Sequence, residues 1–471
     1  NINTVQSSEL TLSNLVSGEN LTLSGSGSIA SANVGDNKTV TLGSLSISDG
    51  SGGDADNYQL SGGTYQFDIT RRPISLSGSR IYDATTNATA SDLSTHGNVV
   101  GSQTLSLSGT GTISNKNVGA NKTVSNGTLA LGDGSNGGLA SNYTLTGGTH
   151  QLTVNQRPLN ATLSRQYDAT TTSAGSTLSS FDALQGGENL TMTGSGTAAA
   201  ANVSNGISMS NNGDLALADG TGGSAGLASN YSLNSTVINI TKRVLNSSGS
   251  KVYDANTDAI ASVITLSNLV GNETLSHSGT ASTNSANAGS YSISNLSGIS
   301  LADGSNGGLA SNYTLSSGTH DFTINRRVIS VSGTRLYDAT TNANASDLST
   351  HSNLVGSQTL GLSGVGSIAS KNVGSNKTVS SGTLALADGS NGGLAANYTL
   401  AGGTHRLTVN LRPLIATLSR QYDATTTAAG STLSSFNALQ GGENLTMTGS
   451  GTASSANVAN NISMTSNGDL A

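Results

Sequence analysis

The chain has 471 residues, with 61 Gly, 3 Pro, no Cys, no Trp and a formal net charge of −7. Charged residues are 10% of it, against roughly 25% in an ordinary soluble domain, and 19 Lys and Arg set against 26 Asp and Glu give no basic stripe for nucleic acid or anionic lipid. Zero cysteines exclude disulfides, thiolate catalysis, iron–sulfur clusters and cysteine-bound zinc, and no apolar run approaches the roughly 20 residues of a membrane-spanning helix.

A fixed internal period governs the reading. Tyr-Asp-Ala recurs at Tyr82, Tyr167, Tyr253, Tyr337 and Tyr422, with separations of 85, 86, 84 and 85 residues. Asn-Tyr recurs at Tyr58, Tyr143, Tyr231, Tyr313 and Tyr398, so ten of the twelve tyrosines sit in two landmarks. Basic residues Arg72, Arg157, Arg243, Arg327 and Arg412, each followed by Pro or Val, mark the edges.

In chain order this predicts a partial module over 1–72, whole modules over 73–157, 158–243, 244–327 and 328–412, and a partial module over 413–471. The expectation is a piece of a longer array. Residues 73–216 match 328–471 at a constant offset of 255, with 116 of 144 positions identical, so three module types alternate. Separating near-identical modules in this way lowers the risk of swapping between neighbours during folding.

Within each module the signal is strand. Runs such as THQLTVN (149–155) and STVINIT (235–241) alternate apolar and polar residues, and Gly, Ser and Asn clusters separate them. The pattern predicts all-β, sandwich-like modules of about 85 residues, immunoglobulin-like or β-grasp-like in strand order, with about six to eight strands each. A continuous β-solenoid is the alternative, but its rungs would repeat every 20–29 residues or so.

No Gly/Ser-rich spacer separates the last strand of one module from the first of the next, which predicts a stiff rod. Proline at the join is expected to interrupt the ladder there. Strands of about 10–12 residues would give roughly 35–40 Å per module.

Candidate chemistry is sparse. Tyr82 and Asp83 could move a proton, but a motif copied into every module without a companion His or second acid reads as a buried ring beside an Asx turn. Loops at Asp133, Asp219, Asp303 and Asp388 offer one carboxylate each where calcium usually takes several, and the pair Asp54 and Asp56 also reads as a turn. The histidines His96, His150, His277, His320, His351 and His405 lie among Ser, Thr and Gly and are expected at the surface or in turns. No catalytic, cofactor-binding or metal residue is assigned, and no cofactor is expected.

Several landmarks in fixed order carry a family resemblance. They are a basic residue and one spacer before Tyr-Asp-x-Thr-Thr, then Gly-x-Gln or Gly-x-Glu (Gln103, Glu188), then Asn-Val-Gly-x-x-Lys-x-Val (Asn117 to Val124), then Asn-Tyr-x-Leu and a closing strand with Arg-Pro-Leu. This series resembles the YDG repeat of large bacterial surface and secreted adhesins, many of them similar to filamentous haemagglutinin and exported by two-partner secretion. The third motif residue is Ala at Ala84, Ala169, Ala255, Ala339 and Ala424, where the family name records Gly, so the expectation is a backbone with no need for positive φ.

The resemblance implies a non-enzymatic, extracellular stalk at a bacterial cell surface or in a biofilm matrix. The binding alternative is an array holding polysaccharide through many weak copies. Extracellular polysaccharide, other cell-surface molecules and lateral self-association are the expected partners, with no nucleic acid and no membrane insertion.

Overall fold

The computed structural model describes residues 3–471, in two compact units divided between Thr241 and Lys242. Among the described residues there is no α-helix, only strands and single 3-10 turns.

The module at 73–157 shows the plan. Its opening strand Ser75–Ile81 lies parallel to its closing strand His150–Asn155, with Leu76 opposite His150 and Ile81 opposite Asn155. Thr95–Gly97 flanks the opening strand antiparallel. Gly119–Ser125 flanks the closing strand through a bulge, and Thr110–Ile113 and Asn87–Thr89 follow. A separate ribbon pairs Leu105–Ser108 with Ala130–Asp133, and a short parallel bridge ties Arg72–Pro73 to Tyr143–Thr144.

Parallel pairing needs a long crossover, and here nearly the whole module supplies it. Alternation decides which face is inward: Leu152 and Val154 of the closing strand and Leu76 of the opening strand are at most 1% exposed, while the intervening residues face outward.

The other modules repeat this. Arg157–Gln166 runs parallel to Tyr231–Thr241, Asn246–Val252 to His320–Asn325, and Ser330–Leu336 to Arg406–Asn410. A parallel first and last strand, each with an antiparallel partner outside it, is the β-grasp-like order. Because each opening strand pairs with its own module's closing strand, the sheets do not form solenoid rungs.

Strands are shorter and more numerous than expected. The module at 73–157 has ten, counting its two-residue bridges, and most strands run three to seven residues. Only Arg157–Gln166 and Tyr231–Thr241 reach ten or more. Bulges and glycine turns break runs that read as continuous in sequence.

Proline does not stop the ladder at Pro158 either. Pro158 is the second residue of Arg157–Gln166 and sits opposite Ser232, tolerated at a strand start where its missing N–H costs least. A single residue, Gln156, separates the closing strand of one module from this opening strand of the next.

Within each unit a buried cluster crosses from one module into the next. In the first, one buried cluster runs from Ile74, Leu76 and Tyr82 through Leu152 to Leu159, Leu190 and Tyr231 of the following module. In the second, Tyr253, Phe322 and Ile324 share a cluster with Ile329, Tyr398 and Leu407.

Candidate functional site

The feature repeated most faithfully is a joint between consecutive modules, and it begins at the Tyr-Asp-Ala turn. Asp83 Oδ1 accepts hydrogen bonds from the Thr85 backbone N–H and hydroxyl, both at 3.0 Å. Asp168, Asp254, Asp338 and Asp423 close the same turn in their modules. A basic residue three positions before each Asp pairs with it: Arg80, Arg165, Lys251, Arg335 and Arg420.

Contrary to expectation, the alanine inside this turn has positive φ in every copy: 62° at Ala84, 61° at Ala169, 65° at Ala255, 59° at Ala339 and 61° at Ala424. The family glycine therefore marks a left-handed position, and alanine holds it here at some steric cost. The methyl group has a place across the joint. A Cβ on Gly186 of the next module would come within 2.9 Å of the Ala84 Cβ, and one on Gly441 within 2.7 Å of the Ala339 Cβ.

The turn delivers Tyr82, which is fully buried, to a hydrogen-bonded node. Tyr82 Oη donates to Glu188 Oε1 at 2.7 Å, and Tyr231 Oη donates to Glu188 Oε2 at 2.8 Å. The Lys116 ammonium pairs with Glu188 Oε1. The two rings meet edge to face, with centroids 5.2 Å apart and planes at 76°, a favourable aromatic geometry. Tyr82 and Lys116 belong to one module, Glu188 and Tyr231 to the next.

Electrostatics keep the node in one protonation state. Burial alone raises the Glu188 carboxyl, but hydrogen bonds from Lys116, Tyr82 and Tyr231 outweigh it and hold it below the usual range. Burial and the adjacent carboxylate raise the Tyr82 phenol, so it stays a neutral donor. Both carboxylate oxygens are engaged and Glu188 is only 9% exposed, a buried polar network that ties the two modules together.

In the second unit an amide does the same work. Gln358 Nε2 donates to Tyr253 Oη at 2.9 Å and its Oε1 accepts from Tyr398 Oη, with the two rings 5.3 Å apart at 77°. Glu443 takes Tyr337 and Lys371 in the copy 255 residues after Tyr82.

Two further clamps accompany the node. Asn230 Oδ1 accepts the Val118 N–H of the preceding module at 2.9 Å, and its amide donates to Asn117 Oδ1 at 3.0 Å. Asn142 holds Val34 and Asn33, and Asn397 holds Ala288 and Asn287, in the same way. The edge arginines close the joint: Arg157 donates to the Tyr82 carbonyl and to the Ala183 carbonyl, and Arg327 to those of Tyr253 and Asn353.

The other candidates resolve into structure. Asp133, Asp219, Asp303 and Asp388 each accept a backbone N–H at 2.7 Å from the turn before Asn-Tyr, and Asp54 accepts from Asp56 at 3.0 Å. Among the described residues no group of three or more His, Asp or Glu could hold a metal. Three histidines correct the surface reading: His150, His320 and His405 are 5%, 8% and 4% exposed. Each puts Nε2 on the carbonyl five residues earlier, at Leu145, Leu315 or Leu400, and Nδ1 on the opening strand.

Sequence reasoning named Gln103 and Glu188 as landmarks but missed their bridging role, and it missed Lys116 and Asn230. The available signal was the 255-residue offset, which carries Lys116 to Lys371 and Glu188 to Glu443 together.

Fold and joint define a class: a tandem array of small all-β modules whose neighbours interlock through buried tyrosines. The YDG domain family matches residues 2–65, 70–152, 240–320, 325–405 and 406–471, and the chain belongs to that family. Residues 153–239 lie outside the matched segments although they carry Tyr167 and Tyr231 and the same central parallel pair. No curated protein matches the chain.

Proposed function

We propose that the chain is a stalk or fibre segment of a bacterial extracellular adhesin of the filamentous-haemagglutinin kind, spacing a tip from the cell or building biofilm matrix. The joint carries this reading. One residue between consecutive strands, a shared core and a buried tyrosine node resist bending, where a flexible linker would not. In this reading the chain is no enzyme and needs no cofactor; its work is mechanical, and low charge with many Ser, Thr and Asn keeps it hydrated. The polysaccharide-binding alternative wants exposed aromatic platforms, and the regularly repeated tyrosines at 82, 143, 231, 313 and 398 are buried.

The test is a deletion of residues 73–327, one superperiod, which joins Arg72 to Val328 as Arg327 is joined to it now. Electron microscopy should show a particle shorter by the length of three modules. An unchanged length, or a compact globule for either chain, would refute the spacer function.

A further inference from the structure

The module at 244–327 departs from the others at its Tyr-Asp-Ala turn. Four of these turns carry Arg three residues before the Asp and Thr two residues after it: Arg80 with Thr85, Arg165 with Thr170, Arg335 with Thr340 and Arg420 with Thr425. The fifth changes both at once, to Lys251 and Asn256. In an arginine turn the guanidinium holds the Thr carbonyl, as Arg80 Nη2 holds that of Thr85 at 2.6 Å and Arg335 Nη2 that of Thr340 at 2.7 Å. Such a pair is inert, because guanidinium keeps its proton and the hydroxyl offers no acyl carbon. A lysine can be deprotonated to a nucleophilic amine, and asparagine brings a carboxamide.

The exchanged residues meet. Lys251, whose side chain is only 11% exposed, donates from Nζ to Asn256 Oδ1 at 2.6 Å and stands 2.9 Å from Asp254 Oδ1. Asn256 Oδ1 also accepts the Asp258 backbone N–H at 3.0 Å. Asp254 Oδ1 accepts the Asn256 N–H at 3.1 Å and so fixes the carboxamide beside the amine. Nucleophile, base, acyl group and a donor for the developing oxyanion all lie within hydrogen-bond reach.

We propose that Lys251 and Asn256 join in an intramolecular isopeptide bond, with Asp254 as the catalytic acid–base. Asp254 takes a proton from the Lys251 ammonium, the amine adds to Asn256 Cγ, and the Asp258 N–H meets the charge gathering on Oδ1. The Nζ–Cγ bond forms and the Cγ–Nδ2 bond breaks. Nδ2 takes the two protons that the amine loses, one of them by way of Asp254, and departs as ammonium. No oxidant or other reactant is needed. The bond closes a covalent loop around Tyr253, whose hydroxyl Gln358 of the next module holds at 2.9 Å, so this turn would resist being drawn straight.

The test is intact-mass spectrometry of the folded 471-residue chain, which should weigh one ammonia less than its sequence. After unfolding, trypsin should leave the Lys251–Val252 bond uncut, and fragmentation of that peptide should place the link between Lys251 and Asn256. Lys251→Arg and Asn256→Thr, which bring in residues the other turns already use, should fold and show the full sequence mass. Asp254→Asn should accumulate unlinked chain. Full mass in the parent, or cleavage after Lys251, would overturn the proposal. So would an ammonia loss that survives Asn256→Thr, since it would then arise elsewhere, as at the Asn136–Gly137 pair. Complete linkage in Asp254→Asn would overturn the role given to Asp254.

Discussion

Ala84 holds a left-handed conformation that costs an L-residue with a Cβ roughly 1–2 kcal/mol, yet the chain keeps alanine there in all five copies. Ala84→Gly should therefore raise the stability of its module by about 1 kcal/mol, net of the freedom glycine gains in the unfolded chain, as read by urea denaturation. Destabilisation would mean that the methyl contact opposite Gly186 outweighs the strain. Glu188 gives a second test at this scale. Its carboxyl titrates below the usual range, so its contribution is fully present above the unfolded value of about 4.3 and is lost as pH falls through the lower folded value. Glu188→Gln should fold, because Gln358 bridges two phenols in the other unit. Its stability should vary less than the parent's between about pH 5 and pH 3.

The 3-10 turn Ala228–Asn230 works as an element that reaches into the neighbouring module. Asn230→Ala should leave the Val118 N–H without its buried acceptor, costing about 1–3 kcal/mol, with faster exchange of the Val118 amide as the specific readout. An unchanged Val118 amide would show that the clamp is incidental. Much at this scale was legible in sequence: period, strand character, the Asx turn at Asp83 and the turn before Asn-Tyr all follow from local chemistry. Strand order was not, because Leu76 and His150 pair across 74 residues and nothing in either segment names the other. His150 misled because its Ser, Thr and Gly neighbours read as surface, while the opening strand that covers it lies far away in sequence. Ala84 misled for the opposite reason: a local rule is broken there for the sake of a turn that a contact in the next module helps to define.

At the scale of the molecule, neighbours depend on each other through one node built from two modules. Each Asn-Tyr tyrosine described at a node bonds the Glu or Gln of its own module, as Tyr231 bonds Glu188 and Tyr398 bonds Gln358, and that residue also receives the preceding module's Tyr-Asp-Ala tyrosine. Stability in such an array is a sum of module and interface contributions, and the interface here contains a fully buried tyrosine whose ring packs in the common core. Hydrogen exchange measured by mass spectrometry on Tyr82→Ala tests this coupling most directly. The account predicts that protection falls on both sides of the joint, in the closing strand at 150–155 and in residues 157–166 and 183–188 of the next module. Loss confined to the residues around position 82, with the following module as protected as before, would contradict it.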